Sequence, residues 1–425
     1  MASSLGTKAR IAASVLLATG FFDAVAGRFV FEPRAAKRRD PEESSPAPAP
    51  AFRELAGAVH VHTSTYSDGA SDVPTVMRAA CEAGVDFVWL TDHNTQQPLR
   101  DGWEERYAAE TPFLLVGTEI TVEHGAFLLA LEMPPDYEPV KHEPPQVSID
   151  AVRAGGGVPL VSLPFDVKHP WRDWESTGYD GLEVVNLSTL ARRHINLFSA
   201  LWLLPIYKFG GPVATLRALM TRPDAAMARW DSLTRGGRKM IGLGALDAHA
   251  LMKIGREKYP IPSYADSFRA VTTRFQVAPA EAETGDGPER RAAVYEALRA
   301  GRCYISYDCL GVPTGLAFHA TNEIGNTAVM GGELRAAGGP VTFEVRTAAK
   351  AGGAGGGAEL PGLLVRLYRD GTVVAAGEAG TLTHREERPE GAYRVEVYRY
   401  AFRVGPLYFG ARPWLFGNPI YVSRE

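Results

Sequence analysis

The feature that most constrains this chain is a repeated one: short, uninterrupted apolar runs that end, one after another, in polar residues. "VDFVWL" leads into "TDHN", "FLLVGTEI" delivers Glu119, "GVPLVSL" runs into Pro164, "GLEVVN" reaches Asn186, and "KMIGLGALDAH" delivers Asp247 and His249. A strand that is apolar throughout is buried on both faces, as in a parallel sheet covered by helices. Helical stretches such as "SIDAVRAGG" and "DAAMARWDSLTRGG" lie between several of these runs, and Asp72 and Pro74 open a helix that Gly84 is placed to end. Alternating strands and helices with polar strand ends predict an α/β fold, a (β/α) barrel whose C-terminal rim gathers the polar residues.

At 425 residues the chain has room for a large domain and a smaller one. Residues 1–27 place Lys8 and Arg10 ahead of the apolar run "IAASVLLATGFF", with small residues up to Gly27. This is the layout of a secretory signal, with an uncleaved N-terminal membrane anchor as the second reading, and it predicts export to a periplasmic or extracellular location. Residues 28–51, rich in charge, Pro, Ser and Ala, read as a solvated linker, so folded structure is expected from Phe52. From residue 311 the pattern changes to period two. "VTFEVRTA", "GLLVRLYRDGTVVAAG" with its Asp370-Gly371 turn, and "AYRVEVYRYAF" predict a small antiparallel β-sandwich over residues 311–425. Residues 195–220 form a very apolar insertion broken by Pro205 and Gly210-Gly211. It reads first as a helical hairpin over the barrel rim, and second as a lid that touches membrane or covers substrate. Cys81, Cys303 and Cys309 have no disulfide-scaffold or zinc-finger spacing and are expected as free thiols. A net charge of −4 is too mild for an obligate nucleic-acid ligand, and the sequence points to no protein partner.

His60 and His62 stand one residue apart at the end of an apolar run, in "VHVHTSTYSDG". On a strand, residues i and i+2 share a face, and two imidazoles so placed gain little from each other unless a cation lies between them. An isolated H-x-H more often fills polar strand positions. Here Asp68, Asp92, His93, Glu119, His124, Asp247 and His249 fall near other strand ends, so five of the ten histidines belong to one set. Mixed imidazole and carboxylate donors without thiolate suit zinc, manganese or iron.

Four ordered stretches, "HVHTSTYSDG", "GVDFVWLTDHNT", "GTEIT" and "GLGALDAH", together resemble the signature of the polymerase and histidinol phosphatase (PHP) family of metallohydrolases. The wording "TDHNT", the leader and the β domain are also similar to its carbaryl-hydrolase-like branch. The resemblance implies a seven-stranded, TIM-like (β/α)7 barrel over residues 52–310, holding two or three divalent metal ions. It implies that His60, His62, Glu119 and Asp247 hold the first ion, that Glu119 and His124 share a second, and that Asp68, His93 and His249 hold the third. One departure matters. Relatives place a metal-binding histidine before the proline that follows the glycine-led strand, and "GGGVPLVSLPF" has Leu163 there. His169, six residues on, is either a replacement reaching in from the loop or a packing residue.

The expected activity is hydrolysis of a small-molecule phosphoester by metal-activated hydroxide, with Asp247, His249 and Asp92 as candidate catalytic groups. Asp92 either orients His93 or caps its strand end. Arg192 and Arg193, after "EVVNLST", are candidate grips for a phosphate or carboxylate, although either could simply be a solvated helix residue. The same centre could hydrolyse a carboxylic ester, carbamate or amide, to which Leu163 inclines it, since a carbonyl needs only one polarising cation. From a different class comes a non-catalytic binding protein that retains metals.

Overall fold

The computed structural model describes residues 30–32, 52–254, 257–259, 261–279, 287–349 and 360–424. The leader over residues 1–27 and the glycine-rich stretch after Ala349 lie outside the described residues. The strands Arg53–Val61, Phe87–Leu90, Phe113–Thr121, Phe127–Leu131, Val158–Ser162, Gly181–Asn186 and Ile241–Ala245 lie side by side in chain order. Their apolar runs are buried on both faces, as continuous hydrophobicity requires. The helix Val73–Ala83 keeps the ends expected of it: the Asp72 side chain accepts from Thr75 N–H, and Gly84 closes it in the left-handed conformation at φ 75°.

Neighbouring strands are parallel except around Phe127–Leu131, which runs antiparallel to both partners. Loop length is the cause. Only residues 122–126 separate it from the preceding strand, whereas a parallel neighbour needs a crossover of a dozen residues or more. On its other side the opening strand pairs antiparallel with Thr272–Val277, and that strand with Cys303–Ser306. Through Arg412–Gly417 the ladder passes into Gly391–Tyr400, giving one mixed sheet of 15 strands.

The sheet curls. Beyond Ala245 the chain returns to the opening strand, where Leu246 N–H donates to Val59 O at 2.9 Å, His62 N–H to Ala248 O at 3.0 Å and Ala248 N–H to His60 O at 3.1 Å. The first and last members of the series thus meet at their C-terminal ends, through an isolated bridge between Val61 and Ala248.

The C-terminal strands follow the period-two pattern, and Asp370-Gly371 makes the expected turn with both residues at positive φ, 50° and 85°. A four-stranded sheet (Thr327–Val329, Pro313–Asn322, Val341–Ala349, Thr381–Glu386) faces strands of the large sheet, with Phe343 stacked on Tyr393 at 4.2 Å. One layer therefore belongs to the same sheet as the parallel strands. Asn418 fixes this continuity: its side chain accepts from Gly242 N–H at 2.8 Å and donates to Gly242 O and Cys303 O at 3.0 and 2.7 Å.

One sequence expectation changes. Residues 30–32, placed in the linker, begin with a short strand in which Val30 and Phe31 pair with Tyr408 and Leu407, and Glu32 accepts from Arg366 at 3.0 Å. Their partner lies at the far end of the chain, where no local pattern could announce it. The insertion forms two helical segments within Leu197–Leu219 that meet at a kink at Gly211 (φ 79°), in the Gly210-Gly211 pair where the sequence placed the break. No described helix is long and apolar enough to cross a membrane.

Candidate metal centre

The meeting point of the strand ends gathers imidazoles and carboxylates. His60 closes the opening strand in a bulge, at φ 68°, so the regular i, i+2 geometry does not apply. The bulge nonetheless turns both rings to one side, with His60 Nε2 and His62 Nε2 3.0 Å apart. Glu119 ends its strand beside them. Its Oε1 lies 3.3 Å from His60 Nε2, and its Oε2 lies 3.5 Å from His62 Nε2 and 3.1 Å from His93 Nδ1. Asp247, at φ 50°, brings Oδ1 to 3.7 Å from His60 and 3.5 Å from His62. Left-handed φ at a non-glycine residue costs on the order of 1–3 kcal/mol. Its recurrence at His60, Leu163 and Asp247, all at strand ends on this rim, marks backbone bent to aim side chains.

Two groups of four donors result. His60, His62, Glu119 and Asp247 form a fully buried inner group, while His62, Asp68, His93 and His249 form an outer one that reaches solvent through Asp68. Within each group the donor atoms lie within 4.8 Å of one another. Donors held about 2.0–2.2 Å from a common ion stand at most about 4.4 Å apart, so small adjustments suffice for a cation in each. His62 belongs to both.

The charges in these groups are unfinished without one. His62 Nδ1 is a buried polar atom with no hydrogen-bond partner, and His93 Nδ1 and Glu119 Oε2, 3.1 Å apart, meet without good hydrogen-bond geometry, an arrangement rare in folded proteins. Burial opposes the charged form of His60, but Glu119 and Glu183 outweigh it and hold the imidazole well above its ordinary pKa. For His62, burial and then His249 push the value down to about 4. His249 is raised to about 9 against its own burial, by its contact with Asp68 at 2.9 Å and by Asp247. Glu119 and Asp247 are held below the usual carboxylate range by the surrounding imidazoles, which overcome the cost of burial. The site is a nest of opposed charges that cations would satisfy in place of protons.

The other expected residues are placed differently. His124 sits in an exposed turn at φ 60°, its Nε2 3.8 Å from Glu123, and joins neither group. Leu163 is buried, and its backbone N–H donates to Glu183 at 2.8 Å. His169 turns Nδ1 to Gly125 O at 3.0 Å and sets its ring edge-on to Phe127. The carboxylate of Asp92 does not orient His93. It accepts from Thr63 N–H at 2.7 Å and Thr63 Oγ1 at 2.9 Å, bracing the loop after His62, and burial raises its pKa to about 6. Of the arginine pair, Arg192 reaches the rim, donating to Asp166 at 2.9 Å and to Asp247 Oδ2 at 3.2 Å, whereas Arg193 turns away to Phe165 O. Lys253, which follows "DAHALM" and by sequence could be either a substrate grip or a solvated residue, has its side chain outside those described.

Glu183 is the residue that sequence reasoning missed. It lies in "GLEVVN", the one charge in an otherwise apolar buried strand, and that oddity was the available signal. Its Oε1 accepts from His60 Nδ1–H at 2.5 Å, which turns His60 Nε2 toward the inner group. Its Oε2 accepts from Leu163 N–H, Ser162 Oγ and Asn186 Nδ2. Such partners set the tautomer and basicity of a ligand imidazole. Glu183→Gln is expected to weaken metal binding or turnover by about 10–100-fold with the fold intact, which metal titration alongside thermal melting would check.

Fold and donor set together define a mixed α/β protein with a histidine and carboxylate centre suited to divalent cations. No family model and no curated protein matches the sequence. Solved structures share some of its shape. One is a two-domain protein from Bacteroides vulgatus containing a predicted PHP-like metal-dependent phosphoesterase, at 15% identity over 87% of this chain and 95% of that one, with a TM-score of 0.39. Another, from Bifidobacterium adolescentis and described as an inferred metal-dependent phosphoesterase, has 17% identity over 45% and 87% of the two chains and a TM-score of 0.30. A third, an amidohydrolase from Chromobacterium violaceum with bound sulfate and no metal, has 15% identity over 49% and 92% and a TM-score of 0.29. At such values the reading of the site rests on this chain's own residues.

Proposed function

We propose that the protein is a metal-dependent hydrolase of the PHP type acting on a small-molecule phosphoester. Residues 52–310 would form its TIM-like (β/α)7 barrel and residues 311–425 a supporting β-sandwich-like unit, with residues 1–27 as an export signal or anchor. The observation that carries the reading is the pair of four-donor groups sharing His62, one sealed and one open to solvent. A purely structural metal site is closed, whereas a catalytic one keeps an accessible position. His60, His62, Glu119 and Asp247 would hold the inner ion, and Asp68, His93 and His249 with His62 the outer one; zinc, manganese or iron fits these donors. Bound divalent ions supply a polarising charge and lower the pKa of water from 15.7 to about 7.

The chain's own residues do the rest. Glu183 holds His60 in the tautomer that faces inward. Thr63 is fixed by Asp92, which braces the loop after His62. Arg192 places a guanidinium beside Asp247, where it meets a phosphoryl oxygen and helps neutralise charge that develops there. Leu163 favours a second reading, hydrolysis of a carboxylic ester, carbamate or amide, because among the described residues no further His, Asp or Glu joins the two donor groups in its place.

The test is elemental analysis of the purified protein, followed by assays with an aryl phosphate monoester, a diester and a carboxylic ester after chelation and after restoring each metal. Metal-restored turnover of a phosphoester is the expected result. Turnover of the carboxylic ester alone selects the second reading, and a protein that takes up no metal ends both.

A further inference from the structure

We propose that the first half of the helix Leu197–Leu219 docks the protein on an anionic lipid surface, lying in the headgroup layer without crossing it. Scattered apolar residues on a surface are ordinary, but a contiguous apolar face is not. On this helix Phe198 is 82% exposed, Leu201 77% and Leu204 65%, with Trp202, Tyr207 and Phe209 also open to solvent, while among the described large apolar side chains of residues 198–209 only Leu203 is buried. Spacings of three and four place Phe198, Leu201, Trp202, Pro205 and Phe209 on one side of the helix.

Charge identifies the partner. No Asp or Glu occurs in residues 187–223, while Arg192, Arg193, Lys208, Arg217 and Arg222 do. Arg222 turns inward to Glu396 and Arg217 is buried, which leaves as surface cations of this stretch Lys208, 5.7 Å from the Phe209 ring, and Arg193, whose guanidinium also donates to Phe165 O. Aromatic and aliphatic side chains interleaved with lysine and arginine make an interfacial helix, whose cations reach phosphate headgroups while the rings enter the acyl boundary. A second copy of the chain would set these cations against each other.

A second, separate feature lies near the same helix. The strand Phe402–Val404 exposes Phe402 and Val404, and just beyond its hairpin Arg412 donates to Arg217 O at 3.0 Å, at the other end of the helix. Val30 pairs with Tyr408 of that hairpin, so residues 1–29, with their apolar run at 11–22, precede the chain at this point. The surface also lies within reach of the metal centre. Six residues separate Phe198 from Arg192, which donates to Asp247, so at about 3.6 Å per residue the apolar face begins within about 22 Å of the rim.

Flotation of the full chain with vesicles of phosphatidylcholine, alone or mixed with phosphatidylglycerol, tests this. Binding to the mixed vesicles that weakens with salt, and falls at least about tenfold in Phe198→Ser/Leu201→Ser/Leu204→Ser, is the expected result. Circular dichroism and thermal melting would show that the triple variant keeps its fold. Equal binding by wild type and variant overturns the proposal and assigns attachment to the leader. Absence of vesicle binding overturns it as well, and if sedimentation then finds a dimer that the variant loses, the face belongs to a second copy.

Discussion

His62→Ala is expected to empty both donor groups at once. It alone is shared between them, with its ring stacked on His249 at 4.2 Å and packed against His93 at 4.6 Å. Loss of bound cations removes several kcal/mol of charge stabilisation from the reaction, and at 1.36 kcal/mol per tenfold in rate the fall in turnover is about 10³-fold. The metal-free fold should survive. His62 is held neutral by burial and by His249, and its Nδ1 has no partner, so its loss strands no charge of its own. His60 differs, because it sits between the buried carboxylates of Glu183 and Glu119. Its removal would leave them facing each other and destabilise the apo protein by about 3–5 kcal/mol. The pair of variants therefore separates ligation from folding. Metal content by elemental analysis, with melting of the chelated proteins, provides the readout, and an alanine at His62 that retains both ions and turnover within tenfold would refute the shared-ligand arrangement.

The sequence made local structure and convergence legible, because both depend on periodicity and spacing along one chain. Unbroken apolar runs marked strands buried on two faces, Asp72 and Gly84 marked the ends of a helix, and Asp370-Gly371 marked a turn. The histidines and carboxylates at strand ends lie close together, with His124 left out, since a strand end fixes where a residue starts but not where its loop turns it. Pairing partners were less visible. Phe127–Leu131 is antiparallel for a reason that loop length already held, whereas the union of Val30–Phe31 with Leu407–Phe409 and the passage of one sheet through Arg412–Gly417 depend on contacts between distant segments. Asp92 shows a further limit. Its position beside His93 suggested that it orients the imidazole, but a side chain chooses among neighbours in space, and Thr63 offers it two donors.

The largest effect on stability is expected at Arg394, far from the metal centre. Its side chain is buried, with Nε and Nη2 donating to Asp231 Oδ1 and Oδ2 at 2.5 and 2.7 Å and Nη1 donating to Glu396 Oε1 at 2.5 Å. Asp231 belongs to the helix Asp224–Thr234 and Glu396 to the strand Gly391–Tyr400, so one guanidinium ties the helical layer to the C-terminal strands. Arg394→Met leaves Asp231 as a buried charge without its bidentate partner, at a cost of about 3–5 kcal/mol. Glu396 keeps Arg222 and Tyr398, and Asp231→Leu in the same chain should recover part of the loss by removing the stranded carboxylate. The effect carries a pH signature. Burial works against ionised Glu396, but Arg394 and Arg222 hold its pKa at about 2, below an ordinary value of 4.5. A depressed carboxylate contributes stability that is fully present above 4.5 and fades as pH falls toward 2. The wild type therefore loses stability across that window more steeply than Arg394→Met, and the gap between them narrows in acid. Urea unfolding at pH 7 and pH 3 measures both terms, and a penalty equal at the two values would show that packing, not charge, is what Arg394 supplies.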